Sequence, residues 1–280
     1  MRTKSIIAAL LLFAAVAHAE YTDFYVIPVA SHVTGAFGTF WMSDVAVQNF
    51  QNRTITVNLA LVEADGSVSA VGAPVTVAAG GSAILRDVLA GQGKSEVSGA
   101  ILIGADAPFA VSSRTYVTAA GGGTIGQGIP AAARFVENTL DGTANGSAFL
   151  PGLVNNTQFR SNIGFVAGTS NSAVAPLVIE VTLRDGGGSI LGTRTFEIPA
   201  GAFRHLQFSS RAVADQTFDA GSAEVRIAAG DGAAVAYASI VDNVSADSVF
   251  VMGEFPQSGS GSAFRALFRA SLFAGRTSRR

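Results

Sequence analysis

Six short segments recur in the same order at a spacing of roughly 120 residues, and this internal repeat constrains the fold more than any other feature of the chain. Ile27-Pro28-Val29 answers Leu150-Pro151-Gly152, Trp41-Met42-Ser43-Asp44-Val45 answers Phe159-Arg160-Ser161-Asn162-Ile163, and Val77-Ala78-Ala79-Gly80 answers Ile198-Pro199-Ala200-Gly201. Three looser matches follow: Gly99 to Ile103 with Gly221 to Val225, Ala110 to Ser113 with Ala234 to Tyr237, and Gly126 to Pro130 with Met252 to Pro256. The period exceeds that of solenoid units and suits a duplicated domain.

Within each copy the hydrophobic period is that of strands. Ile55, Val57, Leu59 and Leu61 alternate with smaller or polar residues, as do Leu177, Ile179, Val181 and Leu183, and later Ala223, Val225 and Ile227. Asp65-Gly66, Asp185-Gly186 and Asp231-Gly232 lie between such runs and read as hairpin turns between antiparallel strands. About seven strands per copy with frequent turn signals predict an all-β chain of two tandem antiparallel β-sandwiches, immunoglobulin-like or fibronectin-like. The expected division is a signal peptide over 1–19, a first sandwich over 20–130, a linker over 131–147 without strand periodicity, a second sandwich over 148–256 and a flexible basic tail over 257–280.

The leader carries Arg2 and Lys4, an apolar run from Ile6 to Val16, and Ala17-His18-Ala19, the pattern of a secretory signal cleaved after Ala19. Its apolar run is too short to span a bilayer, so the expected location is secreted, periplasmic or cell-surface. The absence of cysteine excludes disulfides, lipid-bearing cysteine and thiolate metal sites. Between Glu20 and Ala263 the chain carries 11 basic and 20 acidic residues, a balance that opposes nucleic-acid binding. In the tail, Phe264, Leu267, Phe268 and Leu272 fall on one helical face beside Arg265, Arg269 and Arg276. Two readings fit: weak contact with an anionic membrane surface or partner through Phe264, Arg265, Phe268 and Arg269, or a soluble tail docked on the second sandwich.

No set of residues spells a known reaction. His32 and His205, the histidines outside the leader, have no second histidine at metal-ligand spacing, and His205 reads as a surface or strand-edge residue without a chemical role. No nucleophile elbow precedes a helix, and the Gly121-Gly122-Gly123 run reads as a hairpin tip rather than a phosphate loop. Asp242, Asn243 and Asp247, and Asp215 with Asp219, hold the richest oxygen sets but read as turn formers, so no metal or cofactor is expected.

One polar constellation in the first copy stands apart: Trp41, Ser43 and Asp44, then Arg86 and Asp87, then Arg114 and Tyr116. Arg114 is placed to pair with Asp44 or Asp87, and aligning the repeats sets Asn162 and Ala238 opposite Asp44 and Arg114, so the pair belongs to the first copy alone. It reads either as a structural brace or as a binding site built on Trp41, Asp44, Arg114 and Tyr116, types enriched at binding hot spots.

At Trp41-Met42-Ser43-Asp44, Ser113-Arg114-Thr115-Tyr116 and Gly126-Gln127-Gly128-Ile129-Pro130 the chain resembles uncharacterised secreted bacterial proteins with tandem immunoglobulin-like domains. The resemblance implies an exported two-sandwich fold and carries no catalytic residue. The architecture is also similar to periplasmic pilus chaperones, though no counterpart of their basic cleft residues is present. The expected function is therefore a non-catalytic secreted or surface-associated module contacting an extracellular or envelope protein or glycan. An exported hydrolase or its accessory domain, and a chaperone or assembly subunit, are the alternatives.

Overall fold

The computed structural model describes residues 21–35, 38–94, 96–119, 121–133, 136–138, 147–169 and 173–254. The expectations for the leader and for the tail, with Phe264, Arg265, Phe268 and Arg269, therefore lie outside the described residues. Among these residues every regular element is a strand, apart from two single 3-10 turns, Ala90–Gln92 and Ser210–Ala212. No described helix is long and apolar enough to cross a membrane.

The first half contains β1 (Thr22–Thr34), β2 (Phe40–Gln48), β3 (Ile55–Val62), β4 (Val68–Ala70), β5 (Val75–Val77), β6 (Ser82–Leu85), β7 (Val97–Thr118) and β8 (Thr124–Ile129). After β9 (Val136–Asn138) come β10 (Ser147–Asn155), β11 (Phe159–Thr169), β12 (Leu177–Asp185), β13 (Ile190–Ile198), β14 (Phe203–Ser209), β15 (Phe218–Ala229), β16 (Gly232–Asp242) and β17 (Ser248–Met252). The second half forms two antiparallel sheets, ordered β10-β15-β12-β13 and β14-β11-β16-β17.

The first half repeats that order, with β4 and β5 together in the place of β13 and β7 in the place of both β15 and β16. From Val97 to Phe109 β7 pairs with β1 and β3; from Ala110 to Thr118 it pairs with β2 and β8. In the second half the corresponding crossing is broken at Gly230, whose φ is 87°. Asp231-Gly232 thus carries the chain between sheets instead of closing a hairpin, whereas Asp185-Gly186 does turn a hairpin, from β12 into β13. The inner pairings are those of immunoglobulin-like sandwiches, second strand with fifth and third with sixth. The outer partners are exchanged: β10 flanks β15 and β16 flanks β11, where the immunoglobulin order has the first strand beside the second and the seventh beside the sixth.

Each sandwich has its own core. Ile27, Val45, Val57, Leu61, Ile101 and Phe109 fill the first, and Leu150, Phe165, Ile179, Leu183 and Val225 fill the second. A third cluster joins them: Phe24, Val26, Ala60, Val62, Ala100 and Leu102 on the outer face of the first sandwich meet Val166, Phe203, Ala233 and Val235. The sheet of β1, β7 and β3 is therefore apolar on both faces, as burial on both sides requires. Tyr237 and Phe250 reach across from the second sandwich to pack against the first core. Hydrogen bonds to backbone carbonyls reinforce the junction, with the His205 N–H donating to the Glu63 carbonyl at 3.3 Å and the Arg204 side-chain Nε to the Ala64 carbonyl at 2.7 Å.

The segment expected as a plain linker takes part in this junction. Ala132 exchanges both backbone hydrogen bonds with Val26, and β9 pairs with β16 at Gly232 to Ala234. Three residues of strand are too few to leave a periodic signal, so the sequence shows only the turn residues around them.

Candidate functional site

A cleft of about 240 Å³ lies where the two sandwiches meet. Trp41 of β2, Thr115 of β7 and Gln127 of β8 line it from the first, with Ser31 of β1 and Ser98 of β7. Arg160 and Asn162 of β11, Gln207 of β14, and Tyr237, Ser239 and Val241 of β16 line it from the second.

Strand alternation explains who faces the cleft. In β11, Ile163, Phe165 and Ala167 point into the second core, so Arg160 and Asn162 point out toward the first sandwich. The ladder sets Arg160 across from Val241 and Asn162 across from Ser239. In β2, Trp41 shares parity with Val45 and Val47 of the first core. Its indole lies against the backbone at Gly35, where an added Cβ would come within 2.4 Å of Trp41 Nε1.

Two polar linkages fix the walls. Gln127 Nε2 donates to Ser239 Oγ at 3.0 Å, and Ser239 Oγ donates back to Gln127 Oε1 at 3.2 Å, tying β8 to β16. Deeper in, His205 Nε2 lies 2.8 Å from the Tyr237 hydroxyl, which in turn is 3.4 Å from Gln207 Oε1. Burial drives the His205 imidazole down to about 4, so it is neutral at pH 7, and pushes the Tyr237 phenol up. With Nε2–H donating to the phenol oxygen, the phenol hydrogen is left for Gln207, and both contacts are used. His205 is thus only 3% exposed, against the surface position expected for it, because the face of β14 that carries it is covered by the first sandwich.

Arg160 is the charged residue of the cleft. Its Nη1 donates to Asn243 Oδ1 at 2.8 Å, while the Asn243 side chain donates to the Thr157 carbonyl at 3.2 Å. Partial burial draws the guanidinium below its ordinary value.

The constellation read from the sequence is divided by the structure. Trp41 lines the cleft, whereas Asp44, Arg114 and Tyr116 sit together on the opposite face of the β2–β7 ladder, since residues three apart on a strand point to opposite sides. Asp44 Oδ2 accepts from Arg86 Nη1 at 2.6 Å and from Arg114 Nη2 at 3.2 Å. Its Oδ1 accepts from the Asp87 N–H at 3.0 Å and the Tyr116 hydroxyl at 3.1 Å. Burial alone would raise the Asp44 carboxyl, but these donors outweigh it and hold the carboxyl below the usual range. The Arg114 guanidinium lies 4.1 Å from the Tyr116 ring centroid. Asp87, in the left-handed region at φ 41°, also holds His32 Nδ1 at 3.0 Å.

Asp44 is 4% exposed beneath arginine side chains that are 66% and 43% exposed, so the carboxylate anchors its cover and offers little to a ligand. In the β2–β7 ladder Asp44 pairs with Arg114, and in the β11–β16 ladder Asn162 pairs with Ser239.

The acidic turn at Asp242 is a turn former: its Oδ1 accepts from the N–H groups of Val244 and Ser245. Sequence reasoning missed Arg160, Asn162, Gln207 and Tyr237 because a site shared by two domains leaves no local motif.

No protein-family model and no curated protein matches the chain. Among solved structures, similarity is found to a β-glucuronidase from glycoside hydrolase family 2, at 9% identity and a TM-score of 0.17 over 80% of this chain and 25% of that one. The chain thus spans about a quarter of that enzyme's length, and a likeness at this level carries no functional weight. The coarser part of the sequence resemblance, an all-β sandwich fold, stands on the strand pairings.

Proposed function

We propose that the chain is a non-catalytic, extracytoplasmic binding module that takes a glycan unit in the cleft between its two sandwiches. The observation that supports this reading is the cleft lining: one indole and the amides of Gln127, Asn162 and Gln207. An aromatic face suits the apolar side of a sugar ring, and side-chain amides offer the paired donors and acceptors that sugar hydroxyls need. The cleft volume of about 240 Å³ is below that of drug-sized sites, which fits a single ring with its substituents. Asp44 and Asp87, joined through a backbone hydrogen bond, are committed to arginines and to His32 outside the cleft, which weighs against a two-carboxylate hydrolase there. Export, inferred from the leader, would place the module among envelope or extracellular glycans.

Trp41 is the single tryptophan, so its fluorescence reports directly on the cleft. Residues 20–280 titrated with a panel of oligosaccharides are expected to give a saturable change with at least one class. Asn162→Ala and Gln207→Ala should each weaken that binding by about five- to ten-fold, the worth of one hydrogen bond. A folded protein whose tryptophan signal and binding heat respond to no member of the panel would overturn the reading.

A further inference from the structure

We propose that the cleft selects a sugar bearing an acetamido group, an N-acetylhexosamine unit, with the Asn162 carboxamide holding the acetamido carbonyl and Val33 covering its methyl. The inference rests on the glycan reading of the cleft and adds to it the chemical class of the ligand.

On the wall supplied by the second sandwich, the β11–β16 register gives Asn162 a central place. It stands across from Ser239, with Arg160 opposite Val241 on one side and Gly164 opposite Tyr237 on the other. The polar groups around it are engaged elsewhere. Gln127 and Ser239 hold each other at 3.0 Å, Thr115 Oγ1 lies 2.7 Å from Ser43 Oγ, and the Tyr237 hydroxyl lies 2.8 Å from His205 Nε2. Among the described residues, none makes a hydrogen bond with the Asn162 side chain, although that side chain is half-buried in the cleft lining. Its carboxamide therefore has two N–H donors and one carbonyl to fill, and a partly dry wall makes an unfilled donor costly. An acetamido carbonyl takes one of these N–H groups, and the ring hydroxyl beside the acetamido group donates to Asn162 Oδ1.

The facing wall separates an acetamido sugar from a plain one. Val33 of β1 is the direct cross-strand partner of Trp41 of β2, so the two side chains lie next to each other on one face, and both line the cleft. A sugar ring laid against the indole projects an equatorial substituent sideways, onto the neighbouring valine. A hydroxyl placed there gains no hydrogen bond from an isopropyl group, whereas an acetamido methyl is withdrawn from water. The acetamido group uses the valine and the carboxamide together, which a hydroxyl cannot do.

The test compares chitobiose with cellobiose, which share linkage and ring stereochemistry and differ only in bearing acetamido or hydroxyl groups at C2. N-methylacetamide serves as a bare amide, and binding is read by Trp41 fluorescence and calorimetry. Chitobiose is expected to bind on the order of ten- to thirty-fold more tightly than cellobiose, from one hydrogen bond and one buried methyl. Asn162→Ala should cut that preference to about three-fold, the share of the methyl. Val33→Ala should weaken chitobiose by about three-fold and leave cellobiose unchanged, with circular dichroism confirming that both variants fold. Equal affinity of the wild-type protein for both disaccharides would overturn the inference and leave the glycan reading intact. A preference for chitobiose that survives both substitutions in folded protein would overturn it too, as would N-methylacetamide binding as tightly as chitobiose, which removes the ring from recognition. Failure of every saccharide to bind the folded wild-type protein would overturn both readings.

Discussion

At the scale of single residues, the space left by one side chain decides the position of another. A Cβ built on Gly164 would lie 2.2 Å from Tyr237 Cζ, so the absence of a side chain on β11 is what lets the Tyr237 ring cross that strand toward His205. Gly164→Ala is expected to displace the phenol, break the His205 contact and destabilise the protein by about 1–3 kcal/mol, as overpacking of a filled site does. Urea denaturation monitored by circular dichroism checks this, and an unchanged midpoint would contradict the packing argument. The sequence shows Gly164 only as a small residue in an apolar run. Nothing in it reveals that an aromatic ring 73 positions away (237 − 164) fills the vacant space. The Asp44–Arg114 pair was legible because both partners are charged in strand segments, where buried charge demands a counterpart. The placement of Trp41 apart from them follows from strand parity alone, yet treating segments as units conceals it.

At the scale of elements, the alternation of apolar and polar residues made the strands legible, and the continuity of β7 did not follow from it. The first sandwich changes sheets inside one 22-residue strand, whereas the second breaks at Gly230. The corner is clamped from outside: Arg53 Nη1 donates to Asp106 Oδ2 at 2.9 Å, Arg53 Nη2 to the Asp106 carbonyl at 2.8 Å, and Gln51 Nε2 to the Pro108 carbonyl at 2.7 Å. Both Arg53 and Asp106 are about half exposed, at 52% and 50%, so solvent screens the pair. Arg53→Ala should therefore lower stability by no more than about 1 kcal/mol, with the sheet crossing held by β-ladder bonds instead. A loss several times larger in the same denaturation assay would show that the clamp itself sets the bend.

At the scale of the whole molecule, the junction gives the two sandwiches a shared apolar cluster. Its sequence trace is the pair of apolar faces on β1, β3 and β7: Phe24 and Val26, Ala60 and Val62, Ala100 and Leu102 occupy positions that a free sandwich would give to polar residues. The buried His205 makes this junction sensitive to acid, and the sign is set by its depressed value. The folded protein keeps the imidazole neutral down to about 4, while the unfolded chain takes up a proton near the ordinary value of 6.5. Between those limits the unfolded state binds more protons. Stability is therefore complete above about pH 6.5, declines as pH falls toward 4, and by then has lost on the order of 3 kcal/mol from this group. His205→Gln, which cannot be charged, should lose about 1 kcal/mol at pH 7.5 through the altered bond to Tyr237, yet show a much flatter stability profile between pH 6.5 and 4.5. Carboxylates held low, such as Asp44, add their own loss at lower pH in both proteins, so the informative quantity is the difference between the two profiles. Urea midpoints at pH 7.5, 5.5 and 4.5 provide it. Parallel profiles would mean that His205 is not the group through which protons act on the junction, whereas profiles that cross between pH 7.5 and 4.5, with a single transition throughout, would show that protonating one imidazole between the sandwiches loosens the whole molecule.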